Sequence, residues 1–376
     1  MNELKESGYT VISSIYTPEE TVRLRTSIVK EVLELIFNER GISIPLNEES
    51  LLLLTSPQLR SQTLTNPKII WRDNNPRTPI LSKSCGIMDI HYNLDVLDLI
   101  TLNSRLYQLL SSIYEDNKLV HKLGPERIGI KPTDSTDMDK HIDANLFYPE
   151  VNHLKRFQSL VCISIDSNFS FEKNGTLCVL ANFHWYWDFA SALFHPHNGA
   201  FPFPDNHNRY FLLPKDFDSK YLPILKTWII GYTNYLYHQI KGDTINQQWY
   251  EKFELKGIKV PHQVKEIKWT PVKCKAGDVI VWSQYLPHRN LRNKSRIPRI
   301  VAYYSVFPID KDWYTTQEAQ KCRTMFKEGS FYENKTISSN IEEITHIHKH
   351  NLLSVIEKMY KKDEFTQKIT GFLSWI

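Results

Sequence analysis

The residues best able to do chemistry begin at His141-Ile142-Asp143. On a strand, residues i and i+2 point to the same face, so an imidazole and a carboxylate would project side by side. Far downstream, Lys275-Ala-Gly-Asp-Val-Ile-Val-Trp-Ser-Gln-Tyr-Leu-Pro-His288 reads as a turn, a strongly apolar strand and a histidine just past its end. Eleven residues later Arg299 opens the run RIVAYYSVF, where alternation puts Arg299, Val301, Tyr303 and Ser305 on one strand face. Two histidines and one carboxylate leave one face of an octahedron open. That is the ligand set of non-haem Fe(II) oxygenases, in which the open positions take a bidentate co-substrate and dioxygen. The planar fork of an arginine suits the far carboxylate of 2-oxoglutarate. HxD by itself arises readily by chance, and a solvated His–Asp pair on a surface strand would explain it. The ordered set His141, Asp143, His288 and Arg299 is the stronger signal.

These residues need strands to hold them, and the pattern supplies candidates. From about residue 125 come short apolar or alternating runs bounded by turn residues: Arg127–Lys131, His141–Phe147, Gln158–Ile165, Thr176–Leu180, Val279–Trp282 and Arg299–Phe307. Several such strands in one region predict a sandwich or barrel. Upstream, Tyr9–Ile12 reads as a strand, and Thr17-Pro18-Glu19-Glu20 carries a capping box with proline at the first helical position. The helix it starts should run to about Asn38 with Val22, Ile28, Val32, Leu35 and Ile36 inward. A second helical stretch covers roughly 93–115, and proline punctuates an irregular segment over 39–85. Residues 181–270 interrupt the strands as an aromatic-rich insertion with five of the nine tryptophans, and Tyr221–Ile240 within it reads as a helix. The expected division is a domain over 1–330 and a helical C-terminal extension over 331–376.

Composition narrows the class. The 376 residues are 41% hydrophobic and 23% charged, a globular profile that excludes disorder over most of the length. The net charge of +4 comes from interleaved signs and gives no support for a nucleic-acid partner. The five cysteines are odd in number and form no CxxC, so a disulfide framework or structural zinc site is not expected. No apolar run approaches the roughly 18 residues of a membrane span. The opening MNELKESGYTVISS lacks the plan of a secretory signal, so a cytoplasmic location is the expectation.

With these residues in view, the sequence resembles the phytanoyl-CoA dioxygenase family of Fe(II)/2-oxoglutarate oxygenases. GYTVISSIYTPEETVRLR is similar to that family's opening strand and capped helix, and GIKPTDSTDMDKHID to its run into HxD. VCISIDSNFSFEKNGTLCVLANFH resembles its strand–loop block, with Asn174-Gly175 at the turn, and GDVIVWSQYLPHRNLRNKSRIPRIVAYYSVFP its distal-histidine and arginine strand. The resemblance covers roughly 6–40 and 120–310. It implies an α+β fold with a mainly β core, a double-stranded β-helix (jelly-roll, cupin-like) with flanking helices. It also implies Fe(II) on His141, Asp143 and His288, with 2-oxoglutarate on Arg299 and with Lys131 and Asn290 beside it. The implied reaction consumes O2 and 2-oxoglutarate, releases succinate and CO2, and hydroxylates a C–H bond, most simply of a small molecule. The chain departs from the family at LANF before His184, at Val301 and in its long insertion, which leaves the substrate open. A jelly-roll metalloprotein of another reaction class and a non-catalytic scaffold are the alternatives.

Other residues have plainer readings. Lys131 is weighed between a solvated strand-end charge and a co-substrate contact. Trp185, Trp187 and Trp228 are weighed between a substrate-pocket wall and core packing. His184, His195 and His197 have no carboxylate or thiolate to complete a second metal set. The run His346-Ile-His-Lys-His350 reads as incidental surface histidines. Cys162 and Cys178 read as small buried residues on neighbouring strands.

Overall fold

The computed structural model describes residues 2–37, 86–88, 93–116, 118–121, 128–131, 133–147, 157–195, 211–241, 264–317, 319–320 and 364–369. Two antiparallel sheets carry most of the chain. The larger has six strands in the order β1 (Tyr9–Ile12), β10 (Val279–Ser283), β6 (Phe157–Ser164), β12 (Arg299–Tyr304), β4 (Ile128–Lys131) and β2 (Gly86–Met88). The smaller has five in the order β8 (Phe211–Leu212), β5 (His141–Ile142), β11 (His288–Asn290), β7 (Leu177–Ala181) and β9 (Lys268–Pro271). The chain moves back and forth between them, with β4, β6, β10 and β12 in one sheet and β5, β7, β9 and β11 in the other. A third, two-stranded sheet pairs β13 (Val306–Pro308) with β3 (Leu119–His121).

Alternation explains why the central strands read as unbroken apolar runs: each is buried on both faces. Ile300 and Ala302 join Val161, Ile163, Val279 and Val281 in a core with Leu24 and Ile28 of helix α2 (Pro18–Phe37). The same core takes Leu106 and Leu110 of α4 (Ser104–Tyr114) and Val96 of α3 (Leu94–Val96). Val301 points the other way, into a second cluster with Leu160, Cys162, Ile280 and Trp282 of the large sheet and Leu177 and Val179 of the small one. Helix α2 starts as its capping box requires: Glu20 N donates to Thr17 Oγ1 at 3.2 Å and Thr17 N to Glu20 Oε2 at 2.9 Å. Its buried face is Leu24, Ile28 and Val29, while Val22 is exposed. The first helix, α1 (Asn2–Ser7), packs ahead of β1.

The insertion has a definite place. Phe211, Phe217, Tyr221, Leu222, Leu225 and Ile229 are buried in one cluster with Ile142 and Leu180, the residues of β5 and β7 whose side chains leave the inter-sheet face. Helices α5 (Trp187–Phe194) and α6 (Leu222–Lys241) thus belong to a layer on the outer face of the small sheet. A polar seam ties the turn before α6 to the sheet: Trp269 Nε1 of β9 donates to Asp218 Oδ1 at 2.9 Å, and Lys140 Nζ meets Asp218 Oδ2 at 2.5 Å.

Several expected boundaries shift. The run His141–Phe147 is strand only over His141–Ile142, because the chain turns away after Ile142. Arg299–Phe307 is two strands in different sheets, broken at Ser305. Cys162 and Cys178 lie on opposite sheets, not on neighbouring strands. Of the C-terminal extension only α7 (Glu364–Ile369) is described; the three histidines at 346–350 and His197 lie outside the described residues. No described helix is long and apolar enough to cross a membrane.

Candidate metal centre

Strand register delivers the two histidines. His141 of β5 and His288 of β11 are direct cross-strand partners, so their side chains share a face; the rings sit 4.2 Å apart between centroids. Asp143, two residues past His141, brings its Oδ2 to 3.4 Å from His288 Nε2. One ligand atom from each of the three lies within 4.8 Å of the others, and among the described residues this is the one such group of His, Cys, Asp and Glu.

The rings are already oriented. His141 Nδ1 contacts Asp139 O at 2.9 Å and His288 Nδ1 contacts Leu286 O at 3.0 Å. A carbonyl accepts only, so each Nδ1 carries the proton and each Nε2 offers a lone pair toward the shared space. Burial, and then the neighbouring His288, push His141 down to about 4. A neutral imidazole is the form that binds a metal. Two imidazole nitrogens and one carboxylate make a mixed nitrogen–oxygen set, which suits a divalent transition metal.

Arg299 opens β12 and meets Asn290 at the far end of β11. It is 2% exposed, and its Nη1 donates to Asn290 Oδ1 at 2.8 Å. Its Nε and Nη2 are buried with no hydrogen-bond partner among the described residues. Directly across the ladder from Arg299 is Lys131, which is fully buried; its Nζ donates to Thr136 O at 2.7 Å. That burial overturns the reading of Lys131 as a solvated charge. Gly175 of the Asn174-Gly175 turn lies against both cations, and its φ of +81° is a conformation only glycine adopts easily. A Cβ there would sit 3.4 Å from Lys131 Cδ and 3.5 Å from Arg299 Cβ. Asn290 Oδ1 accepts from Arg299 Nη1, and its Nδ2 donates to Met138 Sδ at 3.4 Å.

Two parts of the motif prove to be scaffold. Asp278 takes Ser14 N on Oδ1 at 3.0 Å and Lys275 N on Oδ2 at 2.8 Å, fixing the turn that launches β10. Gly277 has φ +91°, and a Cβ on it would meet Tyr16 O at 2.5 Å.

The tryptophans of the insertion make packing and hydrogen-bond contacts within the fold. Trp185 Nε1 donates to Glu6 O at 2.7 Å, and His184 Nε2 contacts Lys5 O at 3.1 Å. Together they hold the C-terminal carbonyls of α1. Trp187 is buried against Tyr285, with centroids 4.4 Å apart, and Trp228 packs on the core. His195 lies against Phe147. What sequence reasoning missed is β8, the two-residue piece of the insertion that extends the small sheet beside β5. Its Leu212 pairs with His141, so it shares the metal-ligand face, yet it is 48% exposed. No local pattern marks so short a strand.

No family model matches the chain, and no curated protein matches it. Among solved structures it is similar to EctD from S. alaskensis with 2-oxoglutarate and 5-hydroxyectoine, at 14% identity over 82% of this chain and 74% of that one, TM-score 0.40. It is similar to HygX from Streptomyces hygroscopicus with nickel, 2-oxoglutarate and hygromycin B bound, at 13% identity over 82% and 85%, TM-score 0.41. A hypothetical protein from Escherichia coli matches at 13% identity over 87% and 72%, TM-score 0.49.

Proposed function

We propose that the chain is an Fe(II)- and 2-oxoglutarate-dependent dioxygenase built on a double-stranded β-helix, of the phytanoyl-CoA dioxygenase kind, hydroxylating a C–H bond of a small molecule. One observation supports this reading: β11 relates a metal-ligand group to a buried guanidinium at a fixed spacing. His288 starts the strand and Asn290, two residues on and on the same face, hands over Arg299. Two residues of strand span about 7 Å, the reach of a five-carbon dicarboxylate that chelates at one end and meets a guanidinium at the other.

The residues fit both groups. His141, Asp143 and His288 would hold the iron. Arg299 offers two donors that are unmatched among the described residues, and the buried Lys131 beside it adds positive charge where a carboxylate would sit. When bound, iron with 2-oxoglutarate and O2 supplies the oxidising chemistry, with succinate and CO2 as products. The chain's part is to bind and orient. The Nδ1–carbonyl contacts hold both imidazoles, Asn290 holds the guanidinium, and the apolar inter-sheet core excludes bulk water. Asp143 keeps a carboxylate in the ligand set and so leaves no place for a halide ligand, which favours hydroxylation over halogenation.

The test is an anaerobic titration of the Fe(II)-loaded protein with 2-oxoglutarate. The expected result is the visible charge-transfer band of the chelate, followed by succinate on admission of O2. Asp143→Ala and His141→Ala should abolish succinate. A metal-loaded protein with neither band nor succinate refutes the proposal.

A further inference from the structure

Arg299 is not alone in presenting an unmatched donor to this interior. Trp282 on β10 is 2% exposed, and its Nε1 is buried with no hydrogen-bond partner among the described residues. It lies in the inter-sheet cluster with Leu160, Cys162, Ile280 and Val301, and its ring stands edge-on to His288 with centroids 5.4 Å apart. An indole N–H can only donate, and burying it unmatched carries a cost that phenylalanine in the same space would avoid.

Position says what the donor serves. Along β6, Trp282 pairs with Gln158, whereas the Arg299 end of β12 pairs at Ser164. Six strand positions separate their backbones, roughly 20 Å along the strand, a gap narrowed by two long side chains on the same inter-sheet face. Trp282 therefore stands outside the Arg299 grip and beside the ligand group. Whatever accepts from it sits beside the metal-ligand group.

We propose that Trp282 Nε1–H donates to an oxygen at the metal-bound end of 2-oxoglutarate, making Trp282 a second anchor for the co-substrate opposite Arg299. This rests on the iron and 2-oxoglutarate reading above. The acceptor is an anionic carboxylate oxygen, so the hydrogen bond is charge-assisted.

The test uses the full chain with 15N-labelled tryptophan, loaded with Zn(II) as a diamagnetic stand-in and titrated with 2-oxoglutarate. The indole signal of Trp282 is assigned by its absence in Trp282→Phe, or in Trp282→Tyr should the first variant fail to fold. It should move downfield on titration. In the Fe(II) form, Trp282→Phe should still give the chelate band but weaken 2-oxoglutarate binding about ten- to a hundredfold. A wild-type band with an unmoved Trp282 signal, or wild-type affinity in Trp282→Phe, overturns this proposal alone. Absence of the band from the wild type overturns the underlying reading and this proposal with it.

Discussion

Replacing Arg299 with methionine separates an anion-binding role from a structural one, because the two predict opposite balances of affinity and stability. Among the described residues the guanidinium makes one hydrogen bond, to Asn290, and buries two donors that make none. If those two engage a carboxylate, each charge-assisted bond contributes about 1.5–3 kcal/mol. Together that is about 3–6 kcal/mol, a loss of roughly a hundredfold to more than ten-thousandfold in affinity. In the ligand-free protein the sum differs. Two buried, unmatched donors disappear, each having cost about 1–3 kcal/mol, while Asn290 Oδ1 is left orphaned at a similar cost. Removing a cation from beside Lys131 relieves like-charge repulsion as well. The metal-free Arg299→Met protein should therefore match or exceed the wild type in stability while losing 2-oxoglutarate. Affinity is read from the chelate band under anaerobic titration, and stability from urea denaturation after chelator treatment. Retained wild-type affinity would refute the reasoning. So would a metal-free variant destabilised by more than about 2 kcal/mol, the pattern of a structural arginine.

Three further outcomes follow from the same contacts. Asn290→Asp should place a permanent carboxylate against Arg299 and compete with the co-substrate, raising the KM for 2-oxoglutarate well beyond the effect of Asn290→Ala; steady-state kinetics of both variants checks the order. In the metal-free protein His141 is held at about 4, below its ordinary 6.5, so its contribution to stability is complete above about pH 6.5 and is lost as pH falls through about 4. Urea midpoints across that window should show the loss in the wild type and a smaller one in His141→Gln. Trp185→Phe removes the donor to Glu6 O and should cost about 1 kcal/mol of stability while leaving metal affinity unchanged, as thermal melts and metal titration would show.

How much of this was legible in the sequence depends on which forces fix each residue. His141, Asp143, His288 and Arg299 could be read because strand alternation and turn signals are local, and the structure brings the first three together. The capping box at Thr17 and Glu20 is equally local. Lys131 was misjudged because a lysine at a strand end carries no mark of its burial; only its pairing with Arg299 reveals it. The placing of Cys162 and Cys178 failed for a related reason. Alternation tells inward from outward but not which of two sheets a strand joins. Residues Phe211–Leu212 form a strand only because β5 offers an edge to pair with, a tertiary cause with no local trace.

The pairing of His141 with His288 has a consequence for how the molecule assembles. Each imidazole reaches the shared space only while its strand keeps this one alignment. A slip by a single residue would turn one ring to the far side of the sheet. An ion captured between them would act as a clamp on two segments far apart along the chain, one that rewards the correct alignment and no other. Correct threading of the small sheet and capture of the ion would then be a single event, and refolding without metal would leave more mispaired chains than refolding with it.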